Sequence, residues 1–217
     1  VLGVALAFLL NRSWNGMGLF RMLIFLPMML SPLVLGIFWK YMFDATFGII
    51  NWLMSFFMAP VSWLTSPNLA IFSIVVVDVW QWTPFVILLV LAGLQTIPSE
   101  QYEAASLDRA SAWTQFWAIS LPYLKPALLL AILFRVIDTF RMFDLVYALT
   151  AGGPGNQTQT LSLQTYKQGF LFFQTGKAAA LSWILVIVIN VVATYLIKFL
   201  SEKKVPSERK VPQKATL

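Results

Sequence analysis

The chain has 217 residues, of which 59% are hydrophobic and 11% charged, with a mean hydropathy of +0.77 and a formal net charge of +6. That leaves too little polar surface to coat a globule, so a soluble domain is excluded. The absence of cysteine and histidine excludes disulfides, thiolate metal sites and histidine-dependent catalysis, and no Gly-rich phosphate loop ending in Gly-Lys-Ser/Thr is present.

The first element is a short apolar run, Val1 to Leu10, which opens without an initiating Met and is too short to span a bilayer. It reads as the tail of a truncated transmembrane helix, because no basic stretch precedes it and no small-residue cleavage site follows it as in a signal peptide. Four longer runs come next: Leu19 to Met42, Leu69 to Leu94, Tyr123 to Leu149 and Ala178 to Leu200. Each is long enough to cross a hydrocarbon core of roughly 30 Å as a helix. The expected fold is therefore all-α, a polytopic transmembrane helical bundle, with residues 1–217 forming a single membrane domain and 201–217 a basic tail. Pro27, Pro32 and Pro84 fall inside these runs, where each removes a backbone hydrogen bond and invites a kink.

Basic residues orient the chain. If the tail is cytoplasmic, it shares its side with the Asn11 to Phe20 loop and the loop around Glu103. Those segments and their flanks hold ten cations: Arg12, Arg21, Arg109, Lys125, Lys198, Lys203, Lys204, Arg209, Lys210 and Lys214. The opposite loops, Phe43 to Asn68 and Ala151 to Lys177, hold with their flanks three: Lys40, Lys167 and Lys177. Trp52, Trp63 and Tyr166 in the outer loops suit interfacial belts and short helices lying along the outer membrane surface.

Asp78, Gln81, Trp82 and Phe85 share one face of the second long run, and Asp78 to Pro84 forms a polar and aromatic cluster. Aromatic faces stacked on the apolar side of a sugar ring, with polar groups at its hydroxyls, are one use of such a face; helix packing is the other. The third run carries Arg135, Asp138, Arg141 and Asp144 at three-residue spacing and alternating sign. On a continuous helix Arg135 pairs with Asp138 and Arg141 with Asp144. The row is either a structural ladder between helices or, with Thr139, part of an aqueous cavity that receives a polar solute.

Between the second and third runs, Tyr102-Glu103-Ala104-Ala105-Ser106-Leu107-Asp108-Arg109-Ala110, closed by Ile119-Ser120-Leu121-Pro122, forms a polar island that belongs in water. Two alanines permit close approach of a partner surface, and a carboxylate can meet a basic group. This string and Lys125-Pro126 resemble the cytoplasmic "EAA" loop of permease subunits of binding-protein-dependent ABC importers. Leu26-Pro27, Trp39 to Phe43, Asp78 to Pro84, Ala92 to Gln95, Ile97-Pro98 and Phe143 to Tyr147 resemble the carbohydrate-importing branch. Gly152 to Asn156 and Thr160 to Leu163 look like the subunit related to the larger maltose permease and the first glycerol-3-phosphate permease.

The resemblance implies a type I ABC importer permease, N-terminally truncated, with about five of six helices present. It implies a multi-pass protein of a prokaryotic inner membrane, partnered by a second homologous permease, two ATPase subunits and an extracytoplasmic solute-binding protein. The chain itself would catalyse nothing and bind no cofactor; ATP and Mg would be bound by the partner ATPases. Residues 97–122 would be the coupling loop, with Glu103, Ala104, Ala105, Asp108 and Arg109 at the ATPase. Gln81, Trp82, Phe85, Arg135, Asp138, Thr139 and Met142 would line the path of a carbohydrate. The family usually has Gly where this chain has Arg109, so the turn there is expected either to become a regular helical one or to place Arg109 against the ATPase. An ion-coupled secondary transporter using Asp138 or Asp144 as a proton relay, or a non-transporting assembly subunit, are the alternatives.

Overall fold

The computed structural model describes residues 1–11, 16–57 and 59–201. Among them every regular element is helical: α1 (Leu2–Leu10), α2 (Met17–Met29), α3 (Pro32–Met42), α4 (Ile49–Met54), α5 (Pro67–Gln95), α6 (Ser99–Leu107), α7 (Ala112–Gln115), α8 (Leu121–Arg141), α9 (Asp144–Leu149), α10 (Leu161–Tyr166) and α11 (Thr175–Ser201). Arg12 and the basic tail beyond Ser201 lie outside the described residues.

Three helical stretches are long and apolar enough to cross a membrane, Pro67–Gln95, Ala112–Arg141 and Thr175–Lys198. The second and fourth expected spans therefore stand almost where the apolar runs put them. No residue in the apolar core of α11 is buried within the chain, and Trp183 is 69% exposed, a flank that only lipid or another apolar surface can cover.

The other two spans differ from expectation. Leu19 to Met42 is not one rod but α2 and α3, whose axes bend by 99°. Proline disfavours the α region for the residue before it. Ser31 accordingly takes φ −62°, ψ 133°, and Leu30 is extended too. The third span is displaced toward the N-terminus. Its rod begins at Ala112, passes through a π-helical turn at Phe116–Ser120, and ends at Arg141 rather than Leu149. The last part of the stretch expected to lie in water thus belongs to this rod. Met142, at ψ 117°, breaks the helix, and α9 turns aside to pack on α3.

Two cores result. One joins α1, α5 and α8 through Ala7, Leu10, Ile87, Val90, Leu94 and Leu124. Gly3 makes the α1–α5 approach possible, since a Cβ there would lie 2.7 Å from Val86 Cβ. Arg21 donates to the Leu10 carbonyl at 2.7 Å and ties α2 to the end of α1. The second core gathers Phe43, Ile74, Val77, Leu145, Val146, Leu149 and Leu163.

The loop from Phe43 to Asn68 is organised by buried Asn51. Its Nδ2 donates to the carbonyls of Asp44, Ala45 and Val61, and its Oδ1 accepts from Val61 N–H and Trp63 Nε1 at 2.8 Å. Trp63 therefore packs inward, against Phe43 at 5.7 Å, whereas Trp52 is exposed as an interfacial residue would be.

Candidate functional site: a charged cluster between helices and a protruding helix

The centre of the bundle is built around Arg135. A lone cation in an apolar helix has to find compensation. Arg135 Nη1 donates to Asp138 at 2.7 Å on its own helix, and Nη2 donates to Asp78 on α5. Its Cζ lies 5.2 Å from the centroid of the Trp82 ring, within cation–π range. Trp82 in turn meets Phe85 edge-on at 6.3 Å, and Phe85 meets Phe134 at 6.0 Å. The two expected aromatics and the expected cation thus form one layer between α5 and α8.

Gln81 is 2% exposed. Its Nε2 donates at 3.3 Å to the carbonyl of Leu30, freed by the α2–α3 break, while its Oε1 has no partner. Asp78 Oδ1 likewise lacks a partner. Gln81, Asp78, Asp138, Arg141, Met142 and Asp144 are among the residues around a cavity of about 80 Å³. Such a space holds a hydroxyl edge or a water, not a whole sugar ring; its buried unpartnered atoms, Gln81 Oε1 and Asp78 Oδ1, are acceptors, while exposed Arg141 adds a cationic donor to the lining.

The expected path residues other than Phe85, which packs between Trp82 and Phe134, divide between two surfaces. Gln81, Trp82, Asp138 and Met142 line the small cavity, and Thr139 lies on an open groove with Ile132, Arg135, Val136 and Phe140. Thr139 Oγ1 bonds back to the Arg135 carbonyl at 2.7 Å, and the Met142 carbonyl accepts from Thr160 Oγ1 at 2.9 Å.

The charge row forms only in part. Arg135 pairs with Asp138 as spacing predicts, but Arg141 and Asp144 form no ion pair, because the break at Met142 ends the helical register between them. Asp144 instead opens α9, where a carboxylate suits the positive end of a helix dipole. The partner that sequence reasoning missed is Asp78. The signal was present, since an acid alone in an apolar helix needs a cation on a neighbour.

The second candidate surface is α6, which buries none of its residues. Glu103, Ala104, Leu107, Asp108 and Arg109 are exposed and Ala105 is half-buried, with Leu107 at 84% exposure. The helix ends in a Schellman turn: Ala110 N–H reaches the Ala105 carbonyl at 2.9 Å and Arg109 N–H the Ser106 carbonyl at 3.0 Å. Arg109 takes φ +54°, the left-handed conformation glycine favours. The expected regular helical turn is therefore absent; the bend a glycine would give is kept at the cost of strain in an arginine. Ser111 then caps α7, accepting from Thr114 N–H at 3.2 Å.

The loop after α9 uses the same chemistry. Gly152 and Gly155 have φ of +91° and +60°, and Thr158 Oγ1 donates to the Gly153 carbonyl at 2.8 Å.

Residues 1–205 match the family model described as binding-protein-dependent transport system inner membrane component. A probable ABC transporter permease protein, y4oQ, of Sinorhizobium fredii is 43% identical over 197 residues, covering 90% of this chain and 63% of that protein. The trehalose/maltose transport system permease protein MalF of Thermococcus litoralis is 42% identical, covering 76% of this chain and 57% of that protein. This chain thus spans about three fifths of the length of these relatives. Among solved structures, a bacterial ABC transporter involved in the import of the acidic polysaccharide alginate matches with a TM-score of 0.85 at 19% identity, covering 94% of this chain and 73% of that one. That likeness concerns the fold.

Proposed function

The chain belongs to the family of binding-protein-dependent transport system inner membrane components, and from that premise we propose that it is a permease subunit of an ATP-driven carbohydrate importer. It would form the translocation path with a second homologous permease, receive solute from an extracytoplasmic binding protein, and dock two ATPase subunits that bind ATP and Mg. The observation that carries this proposal is α6: a helix with no buried residue that presents Glu103, Ala104, Leu107 and Asp108 on one exposed side. A partner groove would accept the alanines closely, and a basic group would meet Glu103.

The bias of cations supports a cytoplasmic side for α6 and the tail. ATP-driven closure of the ATPases would draw the coupling helices together and expose the cavity first outward, then inward. Family membership favours this over an ion-coupled carrier, and Asp138, engaged by Arg135, is poorly placed as a free proton relay.

The solute class follows from charge. Arg135 is already engaged by two carboxylates, and the cavity lining holds three carboxylates, Asp78, Asp138 and Asp144, against the one cation Arg141. Both facts favour an uncharged polyhydroxy compound over a carboxylated one. The test of the function is the assembled importer in proteoliposomes with Glu103→Ala. Loss of solute-stimulated ATP hydrolysis with intact assembly is expected; unchanged stimulation, or uptake that tracks a proton gradient without ATP, would overturn the proposal.

A further inference from the structure

Two side-chain hydrogen bonds connect the exposed helix α6 to the foot of the α8 rod. Tyr102 Oη and Ser120 Oγ lie 2.9 Å apart, and Gln101 Nε2 donates to Tyr123 Oη at 2.6 Å. Ser120 is 1% exposed and Tyr102 is half-buried, so their hydroxyls meet in a partly buried site. It is also the last residue of the π-helical turn Phe116–Ser120, where Leu121 N–H reaches back to the Phe116 carbonyl. Such single turns interrupt the α ladder and recur at functional sites. The ring of Tyr102 itself packs on the core that includes Leu94, Ile97 and Leu124.

One turn above Ser120, Leu124 is fully buried, and α8 packs tightly on α5 at Gly93. A Cβ added at Gly93 would lie 2.9 Å from Leu124 Cδ2 and 3.4 Å from Ala127 Cβ. Tight packing there resists compression and sliding. Ser120 lies about 6 Å below this contact and Arg135 about 16 Å above it along the helix axis. If α8 tilts about this contact, a displacement of the foot is enlarged roughly two- to threefold at Arg135, by the ratio of these arms.

We infer that Tyr102 is a positioning residue that transmits movement of α6 to α8 through Ser120, with the Gly93–Leu124 contact as fulcrum and Arg135 on the long arm. The inference rests on the reading of α6 as the ATPase-docking helix. It assigns to Tyr102 a role separate from docking, since its hydroxyl points to Ser120 of the same chain.

The test uses the complete importer in proteoliposomes. Because this chain has no cysteine, Thr139→Cys places a single thiol in it beside Arg135. The rate of maleimide modification of this subunit is measured with and without ATP plus vanadate. Tyr102→Phe should shrink the nucleotide-dependent change in rate about three- to tenfold, the loss of one partly buried hydrogen bond, while ATP hydrolysis per complex stays within about twofold. Ser120→Ala removes the same bond from the other side and should match it, and the double variant should add nothing further. A full nucleotide response in Tyr102→Phe, or effects that multiply in the double variant, overturns the inference. Glu103→Ala separates the two levels. If it abolishes the response while Tyr102→Phe does not, the transmission role alone falls; if it too leaves the response intact, the docking role of α6 falls with it.

Discussion

Arg135 on α8 and Asp78 on α5 are fifty-seven positions apart in the chain and form a direct ion pair between the two helices, with side chains 20% and 14% exposed. Taking two charges out of water costs several kcal/mol per ion, and good geometry with additional bonds is needed to offset it. Asp138 and the Trp82 ring supply those additional contacts.

Breaking the pair from one side is therefore expected to cost more than replacing both partners. Asp78→Asn should lower the stability of the assembled complex by about 2–4 kcal/mol, whereas Asp78→Leu combined with Arg135→Met should recover most of it. Thermal melting of the two variants checks the order. Asp78→Asn should also raise the affinity for a glucuronate-bearing disaccharide relative to an uncharged disaccharide, read by competition on the solubilised complex. An unchanged ratio argues against charge neutralisation as the basis of solute selection.

Arg109 gives a prediction of opposite sign. Its φ of +54° costs an L-residue roughly 1–2 kcal/mol that glycine does not pay. Arg109→Gly should raise thermal stability by about 0.5–1 kcal/mol with solute-stimulated ATP hydrolysis retained. Arg109→Val should lower it. A loss of stimulation in Arg109→Gly would instead mark the guanidinium as an ATPase contact.

The contact between α3 and α9 leaves no room at Gly36, where a Cβ would lie 2.6 Å from Ala148 Cβ and 3.2 Å from the Leu145 carbonyl. Gly36→Ala should destabilise by about 1–3 kcal/mol. Ala148→Gly in the same chain should restore part of the loss, seen as a melting temperature between wild type and Gly36→Ala. Equal stability of Gly36→Ala and wild type would contradict the packing described.

The loop from Phe43 to Asn68 depends on Asn51. Asn51→Leu strands Trp63 Nε1 and the Val61 N–H and should cost about 2–3 kcal/mol, exposing residues 59–66 to limited proteolysis. The backbone N–H groups of Phe47 and Thr46 hold the Asp44 carboxyl below its ordinary value. A group shifted down stabilises the folded loop above its unfolded value and loses that contribution as pH falls through the folded one. Cleavage should accordingly rise as the medium is acidified below the ordinary carboxylate range, and Asp44→Asn should flatten that rise.

Much of the architecture was legible in apolar run length alone. α5 and α11 coincide with their runs to within a few residues, because a predominantly apolar stretch of more than twenty residues has one stable form in lipid. The break before Pro32 was legible as a kink, but its 99° angle depends on Leu30 and Ser31 both being extended and on Gln81 meeting the freed carbonyl. The shift of α8 was hidden because Ala112 to Ser120 mixes Ser, Thr and Gln with Trp and Phe, so composition assigned it to water while its backbone continues the rod. At the site, the local pair Arg135–Asp138 could be read from spacing, whereas Arg135–Asp78 required knowing that α5 and α8 are neighbours. The turn at Arg109 ran against residue preference altogether. The Schellman bonds to Ser106 and Ala105 set it, and no property of arginine announces them.

The corner between α2 and α3 carries a consequence for the cavity. Gln81 spends its donor on the Leu30 carbonyl at that corner and keeps its acceptor for the space beside Asp78. One amide therefore reads backbone shape at one end and solute chemistry at the other. Straightening the corner, for instance by replacing Pro32, would release the amide to flip and would turn an accepting wall into a donating one.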